Sequence, residues 1–352
     1  KARVTLVEAG CGSGKTAAAY LWAANNANKK RLFFCYPTTG TASEGFSGYL
    51  QDPSFDAILI HSRSTIDCRL LENMPRQSAE EILLRQAKLE ALDTWPIPAV
   101  VCTAHTVLGL LENVRRAIYA FPALIQSIYV FDEIHAFSDR LFGYLMKFLE
   151  TFTHTPVLLM TATLPQNRKS ALAALCQQTG GLNVIRGPSE RESAKRYFLR
   201  QESSMTAWAE VKQCLESGGK VLWVVNTVAS AMSVVDEARR ESLPVEPYHS
   251  RYRYKDRLVR HRTVIDSFKP EGPCVLAVTT QVAEMSLDLS ADLLVSEIAP
   301  VPSMIQRLGR LNRFVEVPTE IKHAIFIKPK TYLPYSNDQM GNAQTWINLM
   351  AD

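Results

Sequence analysis

A glycine-rich segment, VEAGCGSGKT at residues 7–16, constrains the fold more than any other part of the sequence. An apolar run with β-branched residues, RVTLVEA, leads into it, and an alanine-rich helical pattern, TAAAYLWAANNA, follows it. A strand, loop and helix in this order are the setting of a phosphate-binding loop, whose glycines let backbone amides surround an anion. The helix amino terminus adds partial positive charge. The segment therefore predicts an α/β nucleotide-binding domain.

The loop residues predict how a nucleotide is held. Ala9 stands where the strict GxxxxGK[ST] pattern has its first glycine, but the remainder of the pattern is present. Lys15 is expected to reach the β- and γ-phosphates of ATP, and the Thr16 hydroxyl is expected to bind Mg²⁺. A glycine-rich turn without a ligand is the alternative interpretation. The predicted phosphate-binding residues are Gly12, Ser13, Gly14, Lys15 and Thr16.

Two adjacent acids, Asp132 and Glu133, follow a second strand-like run, LIQSIYVF. Ionised carboxylates beside a hydrophobic core are costly unless a cation meets them, and the Mg²⁺ of the phosphate loop would be that cation. We expect Asp132 to bind the metal, directly or through water, and Glu133 to orient and deprotonate an attacking water. Two solvated loop acids are the alternative. His135 completes the sequence DEIH and is expected to link the nucleotide site to the second domain.

Strand and helix patterns alternate along all 352 residues, which is enough chain for two domains. Most strand patterns end in small or polar residues, as parallel strands do where their loops form a site. A polar stretch with proline and glycine, RGPSERESAKR, indicates a linker near residues 187–195. We therefore predict an α/β fold with two consecutive doubly wound domains. The predicted boundaries are 1–188, 196–330 and, for the start of a C-terminal extension, 331–352.

The composition excludes several classes of protein. Hydrophobic residues make up 47% and charged residues 21% of the chain, which is typical of a soluble globular protein. No apolar run reaches the roughly 18 residues of a membrane span, so no membrane partner is expected. The formal charge of +4 permits a polyanionic partner without requiring one. Seven scattered cysteines without a CxxC pair predict free thiols in a reducing compartment rather than a zinc site.

Further motifs occur in a fixed order along the chain. TAT at residues 161–163 follows a strand pattern, and QRLGRLNR at residues 306–313 fits QxxGRxxR. Together with GKT and DEIH, they resemble the motifs of superfamily 2 helicases. The resemblance implies two tandem RecA-like P-loop domains, with Arg310 and Arg313 meeting the γ-phosphate from the opposite lobe and Gln306 in the catalytic set. A basic amphipathic helix is the alternative interpretation of QRLGRLNR.

The segment TTQVAEMSLDLSADLLVSEIAPVPSMIQRLGRLNR, residues 279–313, narrows the resemblance. Its Q-x-x-E-x-S-L-D form, with Ser286 where DEAD-box helicases usually carry glycine, resembles the helicase of type I CRISPR systems. The segments YPTTGTASEGF, IHSRS, TAHTVLGLL and YHSRYRYKDR resemble the same family. The family implies a prokaryotic, cytoplasmic enzyme that moves 3′→5′ on single-stranded DNA and unwinds target DNA beside an RNA-guided effector complex. His135, Ser286 and Asp288 join the expected nucleotide-binding set.

One departure from that family concerns its nuclease. The family often carries an N-terminal HD nuclease that binds metal through His and Asp clusters. This sequence has no His-Asp dipeptide, and its seven histidines are dispersed. We therefore expect the nuclease on a separate chain or on a domain outside this sequence.

The resemblance also implies residues that contact the nucleic-acid strand. Loop hydroxyls and backbone amides suit contacts to the sugar-phosphate backbone, which carry no sequence information. If HSRYRYKDRLVRHR is helical, Arg253, Arg257 and Arg260 share a face, with Tyr252 and Tyr254 available for base stacking; a solvated cationic face is the alternative. The predicted strand-binding residues are Pro37, Thr38, Thr39, Arg63, Thr103, His105, Asn226, Thr227, His249, Arg251, Thr280 and Gln281.

Two other functions remain open at the level of sequence. One is a DExH helicase or translocase outside CRISPR systems, acting on DNA or RNA. The other is a scaffold switched by ATP, in which hydrolysis is vestigial. The presence of Lys15, Asp132, Glu133, Arg310 and Arg313 together favours an enzyme over the scaffold.

Overall fold

A computed structural model of the chain divides it into two compact units, Lys1–Glu192 and Ser193–Asp352. Each unit is built on a single parallel sheet, so the predicted α/β fold class is confirmed. The pattern SAEEILLRQAKLEALDTW at residues 78–95 predicts a further helix, which lies outside the described residues. Gly12 and residues 61–64 of the IHSRS segment, which include Arg63, also lie outside them. The structure describes residues 2–10, 13–49, 57–60, 97–112, 121–188, 195–313 and 321–351.

The first unit contains a seven-stranded sheet in the order β3-β4-β2-β5-β6-β1-β7, with every pair parallel. Its strands are Val4–Glu8 (β1), Arg31–Tyr36 (β2), Ala57–Ile60 (β3), Ala99–Thr103 (β4), Ser127–Phe131 (β5), Val157–Thr161 (β6) and Leu182–Arg186 (β7). Its α-helices are Lys15–Asn26, Thr39–Tyr49, Ala104–Leu108, Phe121–Leu124, Asp139–Thr151 and Gln166–Gln178, with short 3₁₀ turns at Gly109–Glu112 and Ile134–Ala136.

The helix Asp139–Thr151 shows how sequence pattern produces packing in this unit. Ser138 caps its start, because the Ser138 hydroxyl accepts a hydrogen bond from the Leu141 amide. Leucine and phenylalanine recur at helical spacing, and that apolar face is buried against the sheet. The Phe148 ring meets the Tyr129 ring of β5 edge-on, with centroids 4.9 Å apart. This packing holds β5, and therefore the DEIH segment that follows it, in a fixed position.

The second unit contains a six-stranded parallel sheet in the order β10-β11-β9-β12-β13-β8. Its strands are Tyr197–Gln201 (β8), Lys220–Val224 (β9), Val245–Tyr248 (β10), Val275–Thr279 (β11), Leu293–Glu297 (β12) and Lys322–Ile327 (β13). Its helices are Ser204–Glu216, Val228–Arg240, Tyr254–Ser267, Val282–Ser286, Val301–Leu308, Asn337–Met340 and Ala343–Ala351.

The last helix belongs to the second unit's core. Ala343 and Ile347 are buried in the same hydrophobic cluster as Leu199 of β8. Residues 337–351, which were predicted to begin a C-terminal extension, therefore pack on the second unit. Within the described ranges, the helices are too short or too polar to cross a membrane.

Parallel strands place their carboxyl ends at one edge of each sheet. In the first unit this edge carries Glu8, Thr103, Asp132 and Thr161, each at or directly after the end of a strand. In the second unit the corresponding edge carries Asn226, Thr280 and Glu297. These two edges hold most of the predicted site residues.

Candidate active site

The phosphate loop ends in a backbone conformation that requires glycine. Gly14 caps the helix Lys15–Asn26 with φ 82° and ψ 18°, in the left-handed region. A Cβ atom at this position would meet nothing within 4 Å, so backbone conformation rather than space makes glycine necessary. The Ser13 hydroxyl donates to the Gly10 carbonyl at 2.8 Å and closes the turn. The described part of the loop thus has the tight curvature that a phosphate-binding loop needs.

Lys15 lies folded over this loop. Its Nζ donates to the carbonyl oxygens of Ala9 at 2.8 Å and Gly10 at 3.3 Å, and it lies 3.8 Å from Glu133 Oε1. The ammonium is therefore held by two neutral carbonyls and one carboxylate. A phosphate group could replace these partners. Thr16 follows in the first turn of the helix and is half-buried.

Asp132 sits directly after β5 and is buried. Its backbone amide donates to the Cys35 carbonyl of β2 at 2.9 Å, and its Oδ1 accepts from the Glu133 amide at 2.8 Å. Burial raises the pKa of Asp132 to about 7, and the neighbouring Glu133 charge adds to this effect, while Lys15 opposes it. At pH 7 the carboxyl group is therefore about half protonated, and a stronger positive charge beside it would favour the ionised form.

Glu133 occupies a strained position. Its φ of 49° and ψ of 46° lie in the left-handed region, which costs a non-glycine residue on the order of 1–3 kcal/mol. Its Oε2 is buried and makes no hydrogen bond within the described structure, although His135 Nδ1 lies 3.2 Å away. Strain and an unsatisfied oxygen at one residue are typical of functional sites rather than of structural turns.

His135 joins the DEIH segment to the TAT segment. The Thr161 hydroxyl donates its proton to the Thr163 carbonyl at 2.7 Å, so it must accept from His135 Nδ1 at 3.1 Å. Burial lowers the pKa of His135, while the Glu133 charge opposes that shift. We infer a neutral imidazole with its proton on Nδ1. The structure thus places His135 against Glu133 and Thr161 of its own unit.

The oxygen donors at this edge fit a magnesium nucleotide. The Asp132 carboxylate and the Thr16 hydroxyl are hard oxygen ligands, and a divalent cation would counter the burial that raises the pKa of Asp132. Among the described residues, no group of three or more His, Cys, Asp or Glu side chains is arranged to hold a metal. A cation that takes one or two protein oxygens and completes its shell with phosphates and water suits this donor set.

The predicted strand-binding residues of the first unit have local roles as well. Thr38 Oγ1 lies 3.3 Å from the Thr41 amide and 3.0 Å from the Thr41 hydroxyl, at the start of the helix Thr39–Tyr49. The Thr103 hydroxyl lies 3.0 Å from that of Thr106. These contacts explain two of the predicted threonines as helix-start residues. Exposed His105, with half-buried Pro37 and Thr39, lies at the same edge.

Arg310 and Arg313 contact the segment that follows β11. Arg310 donates from Nε to the Ala283 carbonyl at 3.1 Å and from Nη2 to the Glu284 carbonyl at 2.7 Å. Arg313 Nη2 lies 2.9 Å from Asp288 Oδ1. The structure therefore places Arg313 beside the predicted Asp288 and Arg310 against the backbone of the helix Val282–Ser286. Gln306 is half-buried, and the Ser286 side chain lies outside the described structure.

Asn226 and Gln281 lie in an internal network, which corrects the role expected of their side chains. The Asn226 amide nitrogen donates to the Ile298 carbonyl at 2.8 Å, and its Oδ1 accepts from Arg307 at 3.1 Å. Gln281 Nε2 donates to the Asn226 carbonyl at 2.7 Å. The Asn226 side chain is buried and bonded at both its nitrogen and its oxygen, so it does not face a nucleic-acid strand. Thr280 is likewise buried.

Thr227 has a capping role. Its hydroxyl accepts from the Ser230 amide at 3.1 Å at the start of the helix Val228–Arg240. As with Thr38, the local hydrogen bond accounts for the residue type at this position.

Tyr252 is also engaged inside the second unit, contrary to the expectation that it is available for base stacking. Its ring stacks on the His249 ring with centroids 4.2 Å apart, and the Arg260 guanidinium lies 4.3 Å from its centroid. Arg260 also lies 3.9 Å from Glu246 of β10. Burial and the charges of Arg260 and Arg251 lower the pKa of His249. Exposed Arg251 remains the predicted residue best placed for a backbone phosphate.

The sequence reasoning missed Arg307, whose guanidinium is fully buried at the centre of the network around Asn226. The helix Val301–Leu308 and the residues after it bury Met304, Leu308 and Leu311, and Arg307 falls on this apolar stripe. A cation on an apolar face requires a buried partner, which is the signal that could have identified it.

Comparison with known proteins defines the class. Residues 1–171 match the family model of the DEAD/DEAH box helicases, and residues 217–316 match that of the C-terminal region of the CRISPR-associated nuclease/helicase Cas3. The predicted resemblance is confirmed: a DEAD/DEAH box helicase domain is followed by a Cas3-like C-terminal domain, and the two together are those of an ATP-hydrolysing helicase.

Within that class, the chain resembles the helicase part of the Cas3 proteins. It is 45% identical over 350 residues to a CRISPR-associated nuclease/helicase Cas3 of Myxococcus xanthus, covering 98% of this chain and 46% of the relative. The crystal structure of T. fusca Cas3 superposes with a TM-score of 0.75 at 22% identity, over 99% of this chain and 47% of that one.

A more distant helicase shares the same fold. S. cerevisiae Dbp5 bound to RNA and ADP BeF3 superposes with a TM-score of 0.63 at 17% identity, over 99% of this chain and 83% of that one. Similarity at this level shows the RecA-like helicase fold alone. The chain spans about half the length of the curated relatives it matches, at 46% and 48% of the first two.

Proposed function

We propose that this chain is the ATP-driven helicase of a CRISPR interference system, moving 3′→5′ on single-stranded DNA and unwinding target DNA for degradation. The observation that carries the proposal is the cluster at the carboxyl edge of the first sheet. There Lys15, Asp132 and Glu133 converge beside a glycine-capped loop, and His135 joins them to Thr161. This arrangement suits phosphate and cation binding and offers a carboxylate to a water molecule.

Each residue of this cluster has a proposed role in ATP hydrolysis. Lys15 and the loop Gly12–Gly14 bind the phosphates, while Thr16 and Asp132 bind Mg²⁺. The cation, when bound, neutralises charge on the phosphate oxygens. Glu133 accepts a proton from water, whose oxygen forms a bond to the γ-phosphorus as the bond to the β–γ bridging oxygen breaks and ADP leaves.

Residues of the second unit complete the proposed chemistry. Arg310 and Arg313 supply positive charge to the γ-phosphoryl group in the transition state, and Gln306 assists them. Ser286 and Asp288 contribute to nucleotide binding. Because Arg313 lies 2.9 Å from Asp288, we expect nucleotide binding to rearrange this ion pair.

The strand is proposed to run over residues at the two carboxyl edges. Contacts from Pro37 to Thr39 and from Thr103 to His105 come from backbone amides and accessible polar groups. Positions 227, 280 and 281 contribute backbone groups only, because their side chains are buried or bonded within the unit. Asn226 holds this loop in place, because its backbone amide donates to Glu297 Oε2 at 2.6 Å and its carbonyl accepts from Gln281. Arg63, His249 and Arg251 complete the proposed set.

The names of the similar proteins support an RNA-guided effector complex as the partner of this chain. The M. xanthus and M. jannaschii relatives are named as nuclease/helicases, and a structure titled as a CRISPR RNA-guided surveillance complex, pre-nicking, superposes with a TM-score of 0.64. We propose that the chain works with a type I RNA-guided effector complex in the prokaryotic cytoplasm. We propose that the HD nuclease lies on a separate chain or outside this sequence, so the isolated chain should not cut DNA when supplied with Mn²⁺ or Ni²⁺.

The direct test compares ATP turnover of the wild type and Glu133→Gln, with single-stranded DNA, with RNA and without nucleic acid. We expect DNA to stimulate the wild type most, and Glu133→Gln to bind ATP but lose at least about 100-fold in turnover. Stimulation by RNA alone would indicate another DExH helicase. Nucleotide binding without turnover would indicate a scaffold. Unwinding only from a 5′ overhang would contradict the proposed direction.

A further inference from the structure

Arg307 is a fully buried cation at the carboxyl edge of the second sheet, and acceptors of the chain surround its guanidinium. Its Nε and Nη2 lie 3.0 and 2.9 Å from Glu284 Oε1. Its Nη1 donates to the Ser296 hydroxyl and the Glu297 carbonyl, both at 3.0 Å. Its Nη2 also donates to Asn226 Oδ1 at 3.1 Å. With no exposed surface and an acceptor near each nitrogen, this guanidinium cannot itself bind a phosphate.

These bonds tie together segments that follow three neighbouring strands. Asn226 follows β9, Glu284 lies in the helix Val282–Ser286 after β11, and Ser296 and Glu297 end β12. The three strands are adjacent in the sheet, in the order β11-β9-β12. One planar group with five N–H donors can span three such segments, whereas a lysine ammonium is a point charge with three donors. Arg307 therefore fixes the spacing of these loops.

Arg310 depends on the same helix. Its guanidinium donates to the carbonyls of Ala283 and Glu284, so the backbone that Arg307 holds through the Glu284 carboxylate also holds Arg310. A movement of the Asn226 loop would pass through Arg307 to Glu284 and then to Arg310. This chain of direct contacts connects a proposed strand-binding loop with a proposed catalytic arginine.

We propose that Arg307 and Glu284 form a positioning pair that couples strand binding to ATP hydrolysis by setting the place of Arg310. The pair touches neither ATP nor DNA. The inference rests on the proposed function, because it assumes that hydrolysis responds to DNA.

The test uses Arg307→Lys, with Arg200→Lys as the matched control. Arg200 also forms an ion pair in the second unit, with Glu210, but it lies on the outermost strand, β8, which β13 separates from β12. We expect Arg307→Lys to lower the ratio of DNA-stimulated to basal ATP turnover at least about tenfold, with little change in the KM for ATP. Arg200→Lys should keep the wild-type ratio. An equal fall of basal and stimulated turnover, or an unchanged ratio, would overturn the proposal.

Glu284→Gln provides a second test of the Arg307–Glu284 pair, and it replaces the first test if Arg307→Lys does not fold. It preserves the shape of the side chain and one acceptor oxygen but removes the charge, so the stimulation ratio should fall by a smaller factor. If both single variants fold, the double variant should lose no more than Arg307→Lys alone, because the two residues act as one pair. An unchanged ratio in Glu284→Gln, or fully additive losses, would refute the pair. If DNA does not stimulate ATP turnover in the wild type, both this inference and the proposed function are refuted. If DNA stimulates the wild type and the variants keep the same stimulation ratio, the inference alone is refuted.

Discussion

The buried polar groups at the carboxyl edges of the two sheets differ in whether the chain itself supplies their partners. At the first edge Asp132 is buried with a raised pKa, and Glu133 combines left-handed backbone with an unsatisfied carboxylate oxygen. At the second edge Arg307 is more deeply buried, yet its nitrogens all have acceptors from the chain itself. The first edge is therefore unfavourable alone and improved by an incoming cation, whereas the Arg307 network at the second edge is satisfied by the chain itself.

This contrast predicts that replacing Arg307 lowers the free energy of unfolding more than replacing Lys15 does. Arg307→Met should lower the free energy of unfolding of the second unit by about 3–5 kcal/mol, because it leaves Glu284, whose side chain is only 10% exposed, without its cationic partner. Lys15→Met should change that of the first unit by less than about 1 kcal/mol, since Lys15 has one carboxylate at 3.8 Å and two carbonyl acceptors. Urea unfolding followed separately for each unit measures both. Equal changes in the free energy of unfolding for the two variants would contradict the distinction between the edges.

A second prediction concerns Asp132 and pH. Its folded pKa of about 7 lies above the ordinary 3.8, so protonation stabilises the folded state at low pH and this contribution is lost as pH rises from about 4 to about 7. At pH 8, without nucleotide, Asp132→Asn should therefore raise the free energy of unfolding by at most ~4 kcal/mol, and at pH 4 it should have little effect.

Thermal unfolding at the two pH values measures this difference. Asp266→Asn, at an exposed ion pair with Lys269, is the control and should show no comparable gain at pH 8. A destabilising effect of Asp132→Asn at pH 8 would show that burial does not dominate at this site.

The smallest expected effect tests the backbone strain at Glu133. Glu133→Gly should stabilise the nucleotide-free first unit by about 1 kcal/mol, because glycine adopts a φ of 49° without a Cβ clash. Ser242→Gly, at a φ of 57° after a helix of the second unit, is the matched control and should give a similar gain. Chemical denaturation measures both. A gain at Ser242 without one at Glu133 would mean that other contacts already compensate the strain.

Much of the fold could be predicted from the sequence, because central parallel strands read as continuous apolar runs. β5, β6, β9 and β11 are buried along their whole length, and the apolar runs SIYVFDE, PVLLMTA, KVLWVVNT and CVLAVTT predict all of them. β7 and β8 were missed. Each lies at the edge of its sheet, and four of the five β7 residues are exposed, so neither presents the apolar pattern of a buried strand.

The site was predictable where one local segment defines a role. Lys15, Asp132 and Glu133 lie in strand–loop settings that motif order alone identifies. The Arg307 network was not predictable in this way, because its partners come from three segments that only the sheet order brings together. The same reason explains Asn226 and Tyr252, whose polar or aromatic character suggested an external ligand but serves internal contacts.

The central claim is that the first edge is completed by a magnesium nucleotide. Isothermal titration calorimetry with Mg²⁺ and ADP at pH 7, repeated in buffers of different ionisation enthalpy, measures proton release on binding. Because the pKa of Asp132 is about 7 before binding and should fall beside the cation, we predict that the wild type releases roughly half a proton more than Asp132→Asn. Nucleotide binding with identical proton release in both proteins would contradict the claim.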